Sequence, residues 1–160
     1  MRRTFEPEAV RKGLELRFRL PAERIVVTSD ATALWRVLMN VVSNAIKFTD
    51  PQGRAGRGVV VRVRLTGDVC RIEVADTGMG ISDEHIHEVW KAYFQVQNVE
   101  RNRARGLGLG LFLVRRVLDQ LPGHSLELRS SLGRGTHFVV WLPGARLSDP
   151  GIVVRQSMAV

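Results

Sequence analysis

The sequence predicts an α+β domain with a mainly antiparallel sheet covered on one face by helices. Three observations carry this. Apolar residues alternate strictly at 14–20, the runs 59–66 and 69–75 also alternate, and 136–142 reads as a further strand. One long segment, 30–48, carries the 3.6-residue period of an amphipathic helix. The order is strand, helix, hairpin, short helix, loop, helix, hairpin, which is not the strand–helix–strand alternation of a dinucleotide-binding sheet.

Each element has a local reason. Leu14–Leu20 reads as a strand ended by Pro21. Thr28, Ser29 and Asp30 offer N-cap chemistry to the helix, Asp30 best placed, and Asp50-Pro51 closes it. Residues 51–58 are rich in Gly and Arg and read as a loop. Gly67-Asp68 separates two alternating β-branched runs, so Val59–Thr66 and Val69–Ala75 form a hairpin. Ser82 or Asp83 caps a short helix reaching about Trp90, and 95–105 is a polar, basic loop without periodicity. A helix is expected from Leu107 to about Leu121. The closing strands are Leu126–Arg129 and Thr136–Leu142, joined through Gly133 and Gly135. Pro143-Gly144 ends the domain, giving 1–144 as one domain and 145–160 as a tail or linker.

Length and composition bound the function. The 160 residues suit one domain with its own core. No apolar run approaches the roughly 20 residues of a membrane span, and the charged N-terminus is unlike a signal peptide. The single cysteine, Cys70, excludes an internal disulfide and fits a reducing cytoplasm. The net charge of +8 is concentrated: residues 91–116 hold six basic side chains against Glu100 alone. A basic nucleic-acid surface is one reading of such charge, but aromatic residues make up only 6% and form no stacking cluster. No nucleic-acid partner is therefore expected.

Three motifs carry chemistry. In the 30–48 helix, Leu34, Leu38, Val41, Ala45 and Phe48 share one face, and Asn40, Asn44 and Lys47 stack on a neighbouring one. Asparagine is a mediocre helix former. An amide carbonyl is a hard oxygen suited to Mg²⁺, and a lysine is a point charge for phosphate. Two exposed asparagines bonded to a loop would give the same pattern. Asp76-Thr-Gly-Met-Gly follows an apolar strand, so the Asp76 carboxylate starts near the interior and needs a donor. An adenine amino group is suitable, whereas guanine presents an acceptor there. Gly78 and Gly80 permit positive φ and close approach to a flat base, although Asp-Gly turns after strands are common. Finally Gly106, Gly108 and Gly110 open a helix whose free N–H groups suit an anion. No Gly-Lys-Ser/Thr follows, so this is not a Walker A loop.

In this order the motifs resemble the ATP-binding catalytic domain of bacterial sensor histidine kinases, within the superfamily that includes gyrase, Hsp90 and MutL. Asn40–Thr49 resembles the family's N box, Asp76–Ser82 its G1 box, Val89–Gln95 its F box, Gly106–Val117 its G2 box, and Ser130–Pro143 its closing segment. The resemblance covers about residues 5–143. It implies a two-layer α/β sandwich of Bergerat type, a mixed sheet on three helices. It implies that Asn44 holds Mg²⁺, Lys47 meets phosphate, Asp76 takes the adenine amino group, and Asn40 orients or activates the attacking group. By the same resemblance Gly78, Gly80, Ile81, Tyr93, Arg103, Arg105, Gly106, Leu107, Gly108, Leu109, Gly110, Leu111 and Thr136 complete the ATP site, with 95–107 as a lid. Leu107 and Lys91 depart from the residues usual in G2 and the F box. The run from Tyr93 to Leu111 resembles the lid of hybrid kinases, which carry receiver domains.

The function implied is transfer of the γ-phosphoryl group of Mg-ATP to a histidine. That histidine would lie on a separate dimerisation domain, with a response-regulator receiver downstream. None of His85, His87, His124 or His137 lies on such a helix. The chain is thus expected to be a monomeric, cytoplasmic catalytic domain from a longer protein. The alternative is a catalytically silent nucleotide-binding module that regulates by protein contact.

Overall fold

A computed structural model describes residues 1–50, 58–95 and 107–148. In chain order the elements are α1 (Arg2–Arg11), β1 (Glu15–Arg19), β2 (Ile25–Val26), α2 (Ala31–Phe48), β3 (Gly58–Thr66), β4 (Val69–Asp76), α3 (Gly110–Leu118), β5 (Ser125–Ser131), β6 (Gly135–Leu142) and β7 (Arg146–Leu147). Five strands form one sheet in the order β1-β3-β4-β6-β5. β1 runs parallel to β3, and the other neighbours are antiparallel. The sheet is therefore mixed, as expected.

Alternation decides which face buries. Val59 and Val61, then Cys70, Ile72 and Val74, then Phe138, Val140 and Leu142 join Phe5 and Ala9 of α1, six residues of α2, and Val114 and Leu118 of α3 in one core. Burial raises the Cys70 thiol pKa. The opposite face carries Arg62, Arg71, Glu73, His137 and Trp141. Glu73 is buried there, 3.3 Å from the Arg62 guanidinium and 3.1 Å from that of Arg71. Two charged partners are what make a buried carboxylate tolerable.

α2 begins as expected: the Asp30 carboxylate accepts from the Ala33 N–H at 2.8 Å. Its buried stripe is wider than the sequence pattern gave, adding Val37, Val42 and Ile46, whereas Phe48 is 42% exposed. The β3–β4 hairpin turns at Gly67, whose φ of 60° is the left-handed conformation such a turn needs.

Four expectations are corrected. The N-terminal helix α1 was not foreseen. The short helix expected from 82 to about 90 is a succession of turns, held by bonds such as Glu88 N–H to the His85 carbonyl. The three helices are thus α1, α2 and α3. The helix expected from Leu107 starts at Gly110, because Gly108 has φ 70°, outside any right-handed helix. The segment read as a tail contains buried Ala145 and a strand, Arg146–Leu147, antiparallel to Ile25–Val26. Residues 149–160 and the loop expected at 51–58, apart from Gly58, lie outside the described residues. Among the described residues no helix is long and apolar enough to cross a membrane.

Candidate functional site

A cavity of about 420 Å³ opens between α2, the turn after β4, the approach to α3 and the start of β6. Its lining includes Asn40, Asn44, Lys47, Asp76, Gly80, Ile81, Leu107, Gly108, Leu109, Gly110, Leu111 and Thr136. These residues come from all three sequence motifs and the closing strand.

Asp76 ends β4 and is 9% exposed. Its Oδ1 accepts from the Gly78 N–H at 2.8 Å and from the Thr136 N–H at 3.2 Å. Both bonds use the same oxygen, which leaves Oδ2 for a ligand. Burial pushes the carboxyl pKa up to about 6, and the two backbone N–H groups pull it partly back. A donor from a ligand would favour the ionised form further.

The turn after Asp76 is held from two sides. The Phe48 carbonyl at the end of α2 accepts the Met79 N–H at 3.1 Å, and the Met79 carbonyl accepts the Gly133 N–H at 2.7 Å. A Cβ on Gly78 would overlap the Phe48 carbonyl oxygen, and one on Gly80 the Ser131 carbonyl oxygen. Gly80 has φ 66° and lines the cavity. Gly78 has no positive φ and is not among the lining residues. Its smallness serves the approach of α2, and the positive φ expected at both glycines occurs at Gly80 and not at Gly78.

The polar stripe of α2 faces the start of α3. A Cβ on Gly110 would sit 3.0 Å from Asn40 Oδ1 and 3.6 Å from Asn44 Nδ2. Asn40 Nδ2 donates back to the Arg36 carbonyl at 2.8 Å, which fixes the amide. α3 has no side-chain cap, so its first-turn N–H groups suit an anion. The Lys47 ammonium lies 4.9 Å over the Phe48 ring.

The residues fit a magnesium ion of one kind. Among the described residues no group of three His, Cys, Asp or Glu side chains is placed to hold a metal, and the Asn44 amide has no hydrogen-bond partner. A free amide carbonyl oxygen suits an ion that keeps its waters and takes its remaining ligands from phosphates.

Tyr93 was expected in the site but is 73% exposed and does not line the cavity. Its φ is 66°, so the backbone turns there and swings the ring outward. Its N–H donates to the Gly108 carbonyl at 3.0 Å, joining the chain on either side of the expected lid. Arg103, Arg105 and Gly106 lie outside the described residues, as does most of that lid. The cavity also recruits residues not nominated from sequence: Ser43, Phe48, Met79, Phe94, Gln95 and Phe138 among them. Phe48 is one turn after Asn44, and Phe138 is two residues after Thr136 on the same strand face. Both spacings pointed at the site.

The chain is similar to known proteins over most of its length. The histidine kinase DivJ of Caulobacter vibrioides is 43% identical over 82% of this chain. The circadian input-output histidine kinase CikA of Synechococcus elongatus is 35% identical over 78%. The aerobic respiration control sensor ArcB of Escherichia coli is 36% identical over 89%. The chain spans only 16–21% of the length of these relatives. Among solved structures, full-length ShkA in complex with AMPPNP superposes with a TM-score of 0.74 at 28% identity, over 92% of this chain and 29% of ShkA. The mycobacterial sensor histidine kinase MprB superposes with a TM-score of 0.68 at 26% identity, over 89% of this chain and 90% of that one. The family model for histidine kinase-, DNA gyrase B-, and HSP90-like ATPases matches residues 29–146, and the chain belongs to that ATPase family.

Proposed function

We propose that this domain binds Mg-ATP and transfers its γ-phosphoryl group to a histidine on a separate dimerisation domain, from which a receiver domain takes it. The observation that carries the reading is one cavity shared by a buried carboxylate with a spare oxygen, two asparagines, a lysine and an uncapped helix N-terminus. Asp76 Oδ2 would accept the adenine amino group. Lys47 and the first-turn N–H groups of α3 would take the phosphate charge. Asn44 would hold Mg²⁺, which when bound neutralises phosphate charge. Asn40, its amide anchored on Arg36, would orient the incoming imidazole.

Imidazole is itself a nucleophile. An N–P bond forms, the bond from the γ-phosphorus to the β,γ-bridging oxygen breaks, and ADP leaves. The protein's work is positioning and charge stabilisation. The naming of the relatives as sensor kinases supports this reading, as does the ATP analogue bound by ShkA. ATP as substrate implies a cytoplasmic reaction.

The test combines this chain, Mg²⁺ and γ-labelled ATP with the dimerisation domain encoded by the same gene. Acid-labile label on histidine is expected, lost with Asp76→Asn and with Asn44→Ala. Binding without transfer would leave a regulatory nucleotide module, and no adenine-nucleotide binding would end both readings.

A further inference from the structure

Beside Asp76 the two closing strands hold a hydroxyl pair whose protons the hydrogen bonds assign. Ser130 and Thr136 are cross-strand partners on β5 and β6, both half-buried. Ser130 Oγ makes three hydrogen bonds. It lies 2.9 Å from the Gly135 carbonyl oxygen, 2.8 Å from the Ile81 backbone nitrogen and 3.0 Å from Thr136 Oγ1. A serine hydroxyl has one proton and two lone pairs. The carbonyl only accepts, so the serine proton goes to Gly135. The amide only donates, so it takes one lone pair. The other lone pair is left for Thr136, whose hydroxyl must donate. With its proton committed to Ser130, Thr136 Oγ1 is an acceptor toward the cavity it lines.

We propose that Ser130 is a positioning residue for base selection: it fixes the Thr136 hydroxyl as an acceptor beside Asp76. Asp76 and Thr136 then both accept, matching the two hydrogens of an exocyclic amino group. This rests on the adenine-site reading above and deepens it. A carbonyl oxygen in the amino group's place would meet lone pairs on both side chains. Without Ser130, the Thr136 proton is free to turn into the cavity and donate to that carbonyl.

The experiment measures dissociation constants for ATP and for inosine triphosphate, which has a carbonyl in place of the amino group. It uses wild type, Ser130→Ala, Thr136→Val and the double variant, with thermal unfolding run alongside. The ATP preference of Ser130→Ala is expected to fall about fivefold or more, the value of one redirected hydrogen bond. Ser130→Ala is expected to add nothing further in the Thr136→Val background. Equal weakening of both nucleotides, with the preference unchanged, would mean that Ser130 only supports the fold and would overturn the proposal. Should Ser130→Ala fail to fold, Thr136→Val decides alone: an unchanged preference there also overturns it. Wild type that binds neither nucleotide would instead sink the underlying adenine-site reading.

Discussion

The Lys12 ammonium donates to the Ile46 carbonyl oxygen at 2.7 Å, reaching from the end of α1 to the last turn of α2. It also donates to the Lys47 carbonyl at 2.8 Å and the Thr49 carbonyl at 3.3 Å. The Phe48 carbonyl between them takes the Met79 N–H. The four carbonyls that end the helix are therefore all satisfied, three by one cation and one by the turn that follows Asp76. A cation at a helix C-terminus is also favoured by the helix dipole.

Lys12→Met keeps the aliphatic stem and removes the three bonds. It is expected to cost about 1–3 kcal/mol of stability, the range for losing charge-assisted bonds at a half-buried site. Because Phe48 and Met79 both line the cavity, nucleotide affinity should weaken as well. Denaturant unfolding and a binding isotherm check the two effects. Unchanged stability would mean that water replaces Lys12 without loss.

Three glycines with positive φ separate backbone conformation from space. Gly80, Gly133 and Gly135 have φ of 66°, 75° and 92°. A Cβ on Gly133 meets nothing within 4 Å, so Gly133→Ala should cost only the conformational penalty of about 1–2 kcal/mol. A Cβ on Gly80 overlaps the Ser131 carbonyl oxygen, and one on Gly135 overlaps the Asp76 carbonyl oxygen. Backbone cannot yield as a side chain does. Gly80→Ala and Gly135→Ala should therefore lose clearly more stability than Gly133→Ala, and nucleotide binding with it. Comparable melting temperatures for all three variants would show that the turn relaxes freely.

Much of this was legible because strong periods override weak propensities. The apolar repeat of α2 and the Gly67-Asp68 hairpin are local signals, and both formed where expected. α1 was hidden by Pro7 inside it and by a core contribution of only Phe5 and Ala9. Strand direction was not readable, since the alternation of Glu15–Arg19 is the same whether it pairs parallel or antiparallel with β3. The site was visible as motifs, but its wall was not. Phe48 fits the apolar pattern of a core face, yet α2 ends there and the ring turns to the cavity. Gly78 looked like a ligand-side glycine, but the atom it accommodates is a carbonyl oxygen of α2.

Tyr93 carries a testable strain. It is the one non-glycine residue with positive φ among the described residues, and its side chain is 73% exposed. Tyr93→Gly keeps the N–H that bonds Gly108 and removes the steric cost, about 1–2 kcal/mol, against a smaller entropic loss from the freer unfolded chain. A modest gain in stability with ATP affinity unchanged is expected. A sharp loss of affinity would return Tyr93 to the site, closing over bound nucleotide.

The pH dependence of the empty domain should report Asp76. Its carboxyl pKa rises from 3.8 unfolded to about 6 folded through burial. The folded state therefore binds the proton more tightly. The associated stability is fully present below pH 3.8 and is lost as pH rises through about 6, on the order of 3 kcal/mol in all. Asp76→Asn cannot ionise. The stability difference between that variant and wild type should grow in the variant's favour from pH 4 to 7 and then level off. Both proteins carry the same other titrating groups, so the difference isolates this one. A pH-independent difference would mean that water reaches the carboxylate and keeps its pKa ordinary. In wild type, a ligand that donates to Oδ2 prefers the ionised form. ATP affinity should then fall as pH drops below about 6, approaching tenfold per pH unit, in excess of whatever fall the residual binding of Asp76→Asn shows as the nucleotide's own phosphate takes up a proton.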